Sequence, residues 1–175
     1  MPTTAAHGAS PDTLTAATAQ NDKRMDCVLL IEDSEDAMTL VRYALQEYGQ
    51  GKYRLVWANN LSDGLGHLSR GGVDVVLLDL GLPESSGPTS YAWVRAKAPK
   101  VPVVVLTGDE CQETEFSVLA SGVEDYLIKD QISGSLLLQA IQAALHANKR
   151  RDEHLNFTAL KFTQRFRWES KRRLT

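Results

Sequence analysis

Val73-Asp74-Val75-Val76-Leu77-Leu78-Asp79-Leu80-Gly81-Leu82-Pro83 is the stretch on which the fold turns. Apart from Asp74 the run up to Leu78 is unbroken and apolar, the pattern of a strand covered by helices on both faces. It stops on a carboxylate, Asp79, and gives way to a loop from Gly81 to Gly87. Pro88 then suits the first turn of a helix, where a missing N–H costs nothing. A buried strand that ends on an acid and hands over to a helix is one unit of a parallel α/β sheet.

The same grammar recurs on both sides. Val28-Leu29-Leu30-Ile31 ends in Glu32-Asp33, Val103 to Leu106 ends in Thr107, and Tyr126-Leu127-Ile128 ends in Lys129. Tyr53 to Ala58 supplies a second strand. The fourth strand is expected from Val101, with Pro102 tolerable only near its start, and the fifth from Glu124 to Ile128. Ala37, Leu40, Val41, Ala44, Leu45 and Tyr48 make one helical face, and Gly49 is placed to end it. A short second helix carries Leu61, Leu65 and Leu68 and stops at Gly71-Gly72. A fourth helix is expected from about Cys111 to Ser121-Gly122, and a fifth from Ile132 to about Ala147 with the stripe Leu137, Ala140, Ile141, Ala144 and Leu145. Five βα units joined by right-handed crossovers make a doubly wound, five-stranded parallel sheet over residues 25–147.

In such a sheet ligands bind beyond the carboxyl ends of the strands, so the polar residues that end four of them converge. A dinucleotide fold would need a glycine-rich turn after the first strand. Here that turn is Glu32-Asp33-Ser34-Glu35-Asp36, which repels phosphate. Two like charges ~5 Å apart at an effective dielectric near 20 repel by ~3 kcal/mol. Glu32, Asp33 and Asp79 therefore call for a compensating cation. Mg²⁺ suits them, since it takes one or two carboxylates and leaves positions open for phosphate oxygens, and the backbone carbonyl of Gly81 is a further candidate ligand. With a metal nearby, Asp79 becomes a nucleophile towards phosphorus. Lys129 would be a second cation on the phosphoryl oxygens and Thr107 a hydroxyl donor to them.

In their order, the motifs Leu30-Ile31-Glu32-Asp33, Leu78-Asp79-Leu80-Gly81-Leu82-Pro83, Val105-Leu106-Thr107-Gly108 and Tyr126-Leu127-Ile128-Lys129 resemble the receiver domains of two-component response regulators. The resemblance covers roughly Met25 to Ala147 and implies the five-unit, flavodoxin-like receiver fold. It implies that Asp79 accepts a phosphoryl group from a phosphohistidine on a sensor histidine kinase or histidine phosphotransfer protein, and that Glu32 and Asp33 hold Mg²⁺. Thr107 and Tyr126 resemble the pair that reorients on phosphorylation, and Lys129 the lysine that contacts the phosphoryl group. The chain departs from the family twice: Asp130 stands where proline often follows that lysine, and the first acid is Glu32 where Asp is more usual. A cis bond before a non-proline residue costs ~2.5–4 kcal/mol, so none is expected there. Asp109 and the missing side chain at Gly81 are expected to tune the lifetime of the phosphoaspartate. The expected output is a shift in protein–protein contact with an unknown downstream protein, with homodimerisation through the face of the fourth helix, fifth strand and fifth helix as one form of it. Two rival readings predict different residues. An aspartyl-phosphate phosphatase of the haloacid dehalogenase type would carry an Asp where Gly81 stands; a phosphorylation-independent interaction module would not need the full pocket.

Composition is consistent with this scheme: 175 residues, 43% hydrophobic and 23% charged, fit one soluble domain with tails. No apolar stretch approaches the ~18–20 residues that span a bilayer, and a cytoplasmic location is expected. Cys27 and Cys111 lack metal-ligand spacing and read as reduced thiols; the four histidines are scattered. Residues 1–24 read as a disordered leader. Residues 149–175 hold nine Lys/Arg against three Asp/Glu in a chain whose net charge is −3. Within them Leu155, Ala159, Phe162 and Phe166 mark a basic amphipathic helix, a tail or linker over 148–175 that packs on the receiver or a partner. Nucleic-acid binding through the basic residues around Phe166 and Trp168 is the lesser reading. No separate output domain is expected, so the chain is read as a stand-alone receiver that turns over no external substrate.

Overall fold

A computed structural model describes residues 24–85, 87–108, 125–151 and 153. The expected leader, Asp109, Cys111, the fourth helix and the stripe from Leu155 to Phe166 lie outside these residues. The chain runs β1 (Asp26–Ile31), α1 (Glu35–Tyr48), β2 (Tyr53–Ala58), α2 (Leu61–Arg70), β3 (Val75–Asp79), α3 (Gly87–Lys97), β4 (Val103–Thr107) and β5 (Asp125–Ile128). A 3₁₀ turn (Lys129–Gln131) and a helix over residues 134–151 follow. All strands are parallel, in the order β2-β1-β3-β4-β5. The chain steps outward from β1 to β2 and then back across to β3, so the order reverses between β1 and β3. That switch point opens a crevice at their carboxyl ends.

Alternation along each strand divides the core in two. Val28, Leu30, Val75, Leu77, Val104, Leu106 and Leu127 face α1 and helix 134–151, while Leu29, Ile31, Val76, Leu78, Val103 and Val105 face α2 and α3. β1, β3 and β4 are buried on both faces, which is why their sequences read as continuous apolar runs.

Local chemistry sets the ends of the elements. Ser34 caps α1 by accepting the Ala37 N–H, and Asn60 caps α2 by accepting that of Asp63. Gly71, at φ 75°, ends α2 in a conformation that suits glycine. Gly49 ends α1 for a different reason: its φ is −81°, but a Cβ there would lie 2.2 Å from the Leu45 carbonyl oxygen.

Three expectations need correction. α1 buries Met38, Val41, Ala44 and Leu45, leaving Leu40 70% and Tyr48 50% exposed. The two candidate stripes share Val41, Ala44 and Leu45, so periodicity alone does not fix the helix rotation. β3 starts at Val75, not Val73, because Asp74 turns its carboxylate to the Cys27 N–H and pairs with Arg24. β4 starts at Val103, just after Pro102, whose carbonyl accepts the Val76 N–H. Pro88 does lie in the first turn of α3, and the helix that begins at residue 134 runs past Ala147, with Lys149, Arg150 and Arg151 still helical.

Candidate functional site

The carboxyl ends of β1 and β3 bring Glu32, Asp33 and Asp79 together, with one carboxylate oxygen of each within 4.8 Å of the other two. Glu32 is 0% and Asp79 3% exposed, whereas Asp33 faces solvent. Ionised carboxylates tolerate such burial only when paired. Lys129 supplies the pairing from the turn after β5. Its Nζ stands 2.8 Å from Glu32 Oε2 and 3.0 Å from Asp79 Oδ2. No other partner reaches Glu32 Oε2 among the described residues.

Backbone groups hold the remaining oxygens. The Gly81 N–H donates to Asp79 Oδ1 at 2.9 Å, and the Ser34 N–H to Glu32 Oε1 at 3.3 Å. A Cβ at Gly81 would stand 3.4 Å from both Asp79 oxygens, so any side chain there would lean over the acid.

Burial pushes the Glu32 carboxyl above its ordinary pKa, and the Asp79 charge adds to this; the bond from Lys129 offsets only part. For Lys129 burial acts downward, but its bonds to Glu32 and Asp79 prevail and hold the ammonium above its ordinary value. Both directions describe one cluster with more negative than positive charge. Its donor set, three carboxylates against one ammonium, is short of two positive charges and fits a hard divalent cation with oxygen ligands.

Thr107 and Tyr126 are drawn less tightly into the cluster. Thr107 is buried at the end of β4 and its hydroxyl donates to the Gly108 carbonyl at 3.2 Å. Tyr126, half-buried in β5, packs against the core on the α2–α3 side.

Two contacts had no signal in the sequence motifs. Trp57 Nε1 donates to the Glu32 backbone carbonyl at 2.7 Å, and Glu84 accepts the Leu61 N–H at the start of α2. An aromatic residue near the end of an edge strand is the one sequence cue for the former. An apolar groove of about 200 Å³, lined by Leu40, Tyr43, Tyr48 and Ile132 among others, opens between α1 and helix 134–151 and reaches Glu32 and Lys129.

Residues 28–142 match the family model of the response regulator receiver domain. The swarming motility regulation protein RssB of Serratia marcescens is 33% identical over 102 residues, which are 58% of this chain and 45% of that protein. The transcriptional regulatory protein PcoR of Escherichia coli is 32% identical over 105 residues, 60% of this chain and 45% of that protein. The chain thus spans less than half the length of these curated relatives. Among solved structures, the receiver domain of the sensor histidine kinase PA1611 of Pseudomonas aeruginosa, determined with a magnesium ion coordinated in its active site cleft, is 25% identical with a TM-score of 0.61; the match covers 70% of this chain and 98% of that one. A receiver domain protein from Clostridium thermocellum shares the fold with a TM-score of 0.65 at 23% identity, over 71% of this chain and 98% of that one. The chain belongs to the response regulator receiver family, whose members accept a phosphoryl group in two-component signalling.

Proposed function

We propose that Asp79 is the phosphoacceptor of this receiver, fed by a phosphohistidine on a histidine kinase or phosphotransfer protein. The observation that carries the reading is the buried Asp79 carboxylate held between the Gly81 N–H at 2.9 Å and the Lys129 ammonium at 3.0 Å. One Asp79 oxygen attacks phosphorus. The O–P bond forms as the P–N bond breaks, and the departing imidazole keeps the electron pair and takes up a proton. Gly81 fixes the plane of the carboxylate, and Lys129 is placed to follow the charge onto the phosphoryl oxygens. Glu32, Asp33, Asp79 and the Gly81 carbonyl would hold Mg²⁺, which when bound neutralises charge on the transferring group.

The switch in this reading is Thr107. Its hydroxyl exchanges the Gly108 carbonyl for a phosphoryl oxygen, and Tyr126 turns into the space this leaves. A shift from 10:90 to 90:10 between two arrangements needs ~2.6 kcal/mol, within the range of a few charge-assisted hydrogen bonds. The output is a changed protein–protein contact by a receiver in the cytoplasm that turns over no external substrate. The groove beside Lys129 supports a helical phosphodonor laid along α1, because Leu40, Tyr43 and Tyr48 expose large apolar side chains next to the acceptor.

Beryllium fluoride with Mg²⁺ mimics a phosphoryl group on a carboxylate and provides the test by NMR. Added to protein already saturated with Mg²⁺, it should move the amide signals of Gly81, Thr107 and Lys129 in the wild type and leave them fixed in Asp79→Ala. A folded wild type with unmoved signals would overturn the assignment.

A further inference from the structure

Trp57 lies outside the acidic cluster, on the edge strand, yet it holds the backbone between the two acids that follow β1, Glu32 and Asp33. Its indole N–H donates to the Glu32 carbonyl at 2.7 Å, and the neighbouring Ala58 carbonyl accepts the Glu32 N–H at 3.0 Å. Both polar groups of the Glu32 backbone are therefore tied to the end of β2. The side chain of Glu32 is tied as well, to Lys129 and to the Ser34 N–H. The bond to the indole therefore fixes the peptide plane between Glu32 and Asp33. That plane sets the direction in which the exposed Asp33 carboxylate leaves the chain, and the indole is the side chain that grips its oxygen.

The ring is itself fixed. Trp57 stands in register with Leu30 and packs against the core on the α1 side. Trp57 is also among the residues that line a solvent-open cleft of about 370 Å³, with Asn59, Ser62, Asp63, His67 and Arg70.

We infer that Trp57 is a positioning residue for the metal site: its indole N–H orients the Glu32–Asp33 peptide so that both carboxylates converge on one cation. The inference rests on the reading that this acid pair binds Mg²⁺. Hydrogen-bond partners just outside a ligand set commonly change metal affinity by about 10–100-fold when removed. Because this one acts through the backbone, the lower end of that range is expected.

Mg²⁺ titration by calorimetry, well below the unfolding transition, tests it on four proteins. The wild type should bind and Asp33→Asn should bind at least tenfold more weakly; a wild type without Mg²⁺ binding would end the reading of the site itself. Trp57→Phe keeps the ring and removes the N–H, and should weaken Mg²⁺ about tenfold. Val56→Ala is the control for loosening of β2, since it lowers stability without touching Glu32, and its Mg²⁺ affinity should stay within twofold of the wild type. An affinity of folded Trp57→Phe within twofold of the wild type, or an equal loss in Val56→Ala, would overturn the role of Trp57. A second readout uses the Trp57 indole N–H signal in ¹⁵N-labelled protein. It should shift on addition of Mg²⁺ to the wild type and remain still in Asp33→Asn, whereas a merely structural tryptophan would ignore the metal in both.

Discussion

The β1–β3 half of the site and the β4–β5 half stand on the same sheet edge but differ in what their side chains hold. Glu32 and Asp79 are buried and bound to Lys129, Gly81 and Ser34 before any phosphoryl group arrives. Thr107, on the neighbouring strand, spends its hydroxyl on the carbonyl one residue away. The first half is preorganised, so that reaction costs little rearrangement; the second holds a local bond that a stronger acceptor can replace. Lys129 joins them, because it projects from the turn after β5 into the acids of β1 and β3. On the proposed function, catalytic positioning and switching should therefore be separable by mutation.

Lys129→Met should give the largest effect, since it leaves two buried carboxylates without their counter-charge. A loss of about 2–3 kcal/mol is expected in denaturant titrations with EDTA, below the full value for a buried pair because the lysine side chain is 29% exposed. Mg²⁺ should restore part of it. The lysine's pKa is raised above its ordinary 10.5 in the folded protein, so its stabilising contribution is complete below that pH and lost as pH rises through the raised value. The wild-type thermal midpoint should therefore fall in strong alkali by more than that of Lys129→Met. Glu32 has the same sign in the acid range: its raised carboxyl pKa favours the folded state below about 4.5, an advantage lost as pH rises through the folded value.

Thr107→Ala sharpens the contrast from the other side. It should cost up to about 1 kcal/mol, the worth of one hydrogen bond, and leave Mg²⁺ affinity within twofold. Phosphorylation should still occur, but hydrogen exchange in β5 around Tyr126 should no longer respond to it. A lost response in Thr107→Ala together with weakened Mg²⁺ binding would show that the halves are not separable.

Leu40→Asp carries the smallest stability effect, within ~0.5 kcal/mol, because the side chain is exposed. It should slow phosphotransfer from a histidine phosphotransfer domain by several-fold while leaving acetyl phosphate reactivity unchanged. Equal slowing with both donors would remove α1 as the docking surface.

The fold was legible in the sequence because β1, β3 and β4 are buried on both faces and so appear as continuous apolar runs, each with a buried polar residue, Glu32, Asp79 or Thr107, at its carboxyl end. The same logic anticipated that Glu32, Asp79 and Lys129 come together. It failed where a property depends on a neighbour in space. Leu40 and Met38 exchange places because the rotation of α1 is set by packing against the sheet, not by spacing alone. Asp74 reads as a flaw in a strand until the Cys27 N–H is seen against it. Trp57 acquires its role only from the register of β2 with β1, which places its indole beside the Glu32 carbonyl. Glu84 likewise reaches α2 from a loop 23 residues away.

The most direct measurement is intact mass after incubation with acetyl phosphate, with and without Mg²⁺, on the wild type and Asp79→Ala. A gain of ~80 Da that requires Mg²⁺ and vanishes in the variant is the expected result, with Asp79 as the activated acceptor. A folded, Mg²⁺-binding wild type that gains no mass, or an undiminished gain in Asp79→Ala, would contradict it.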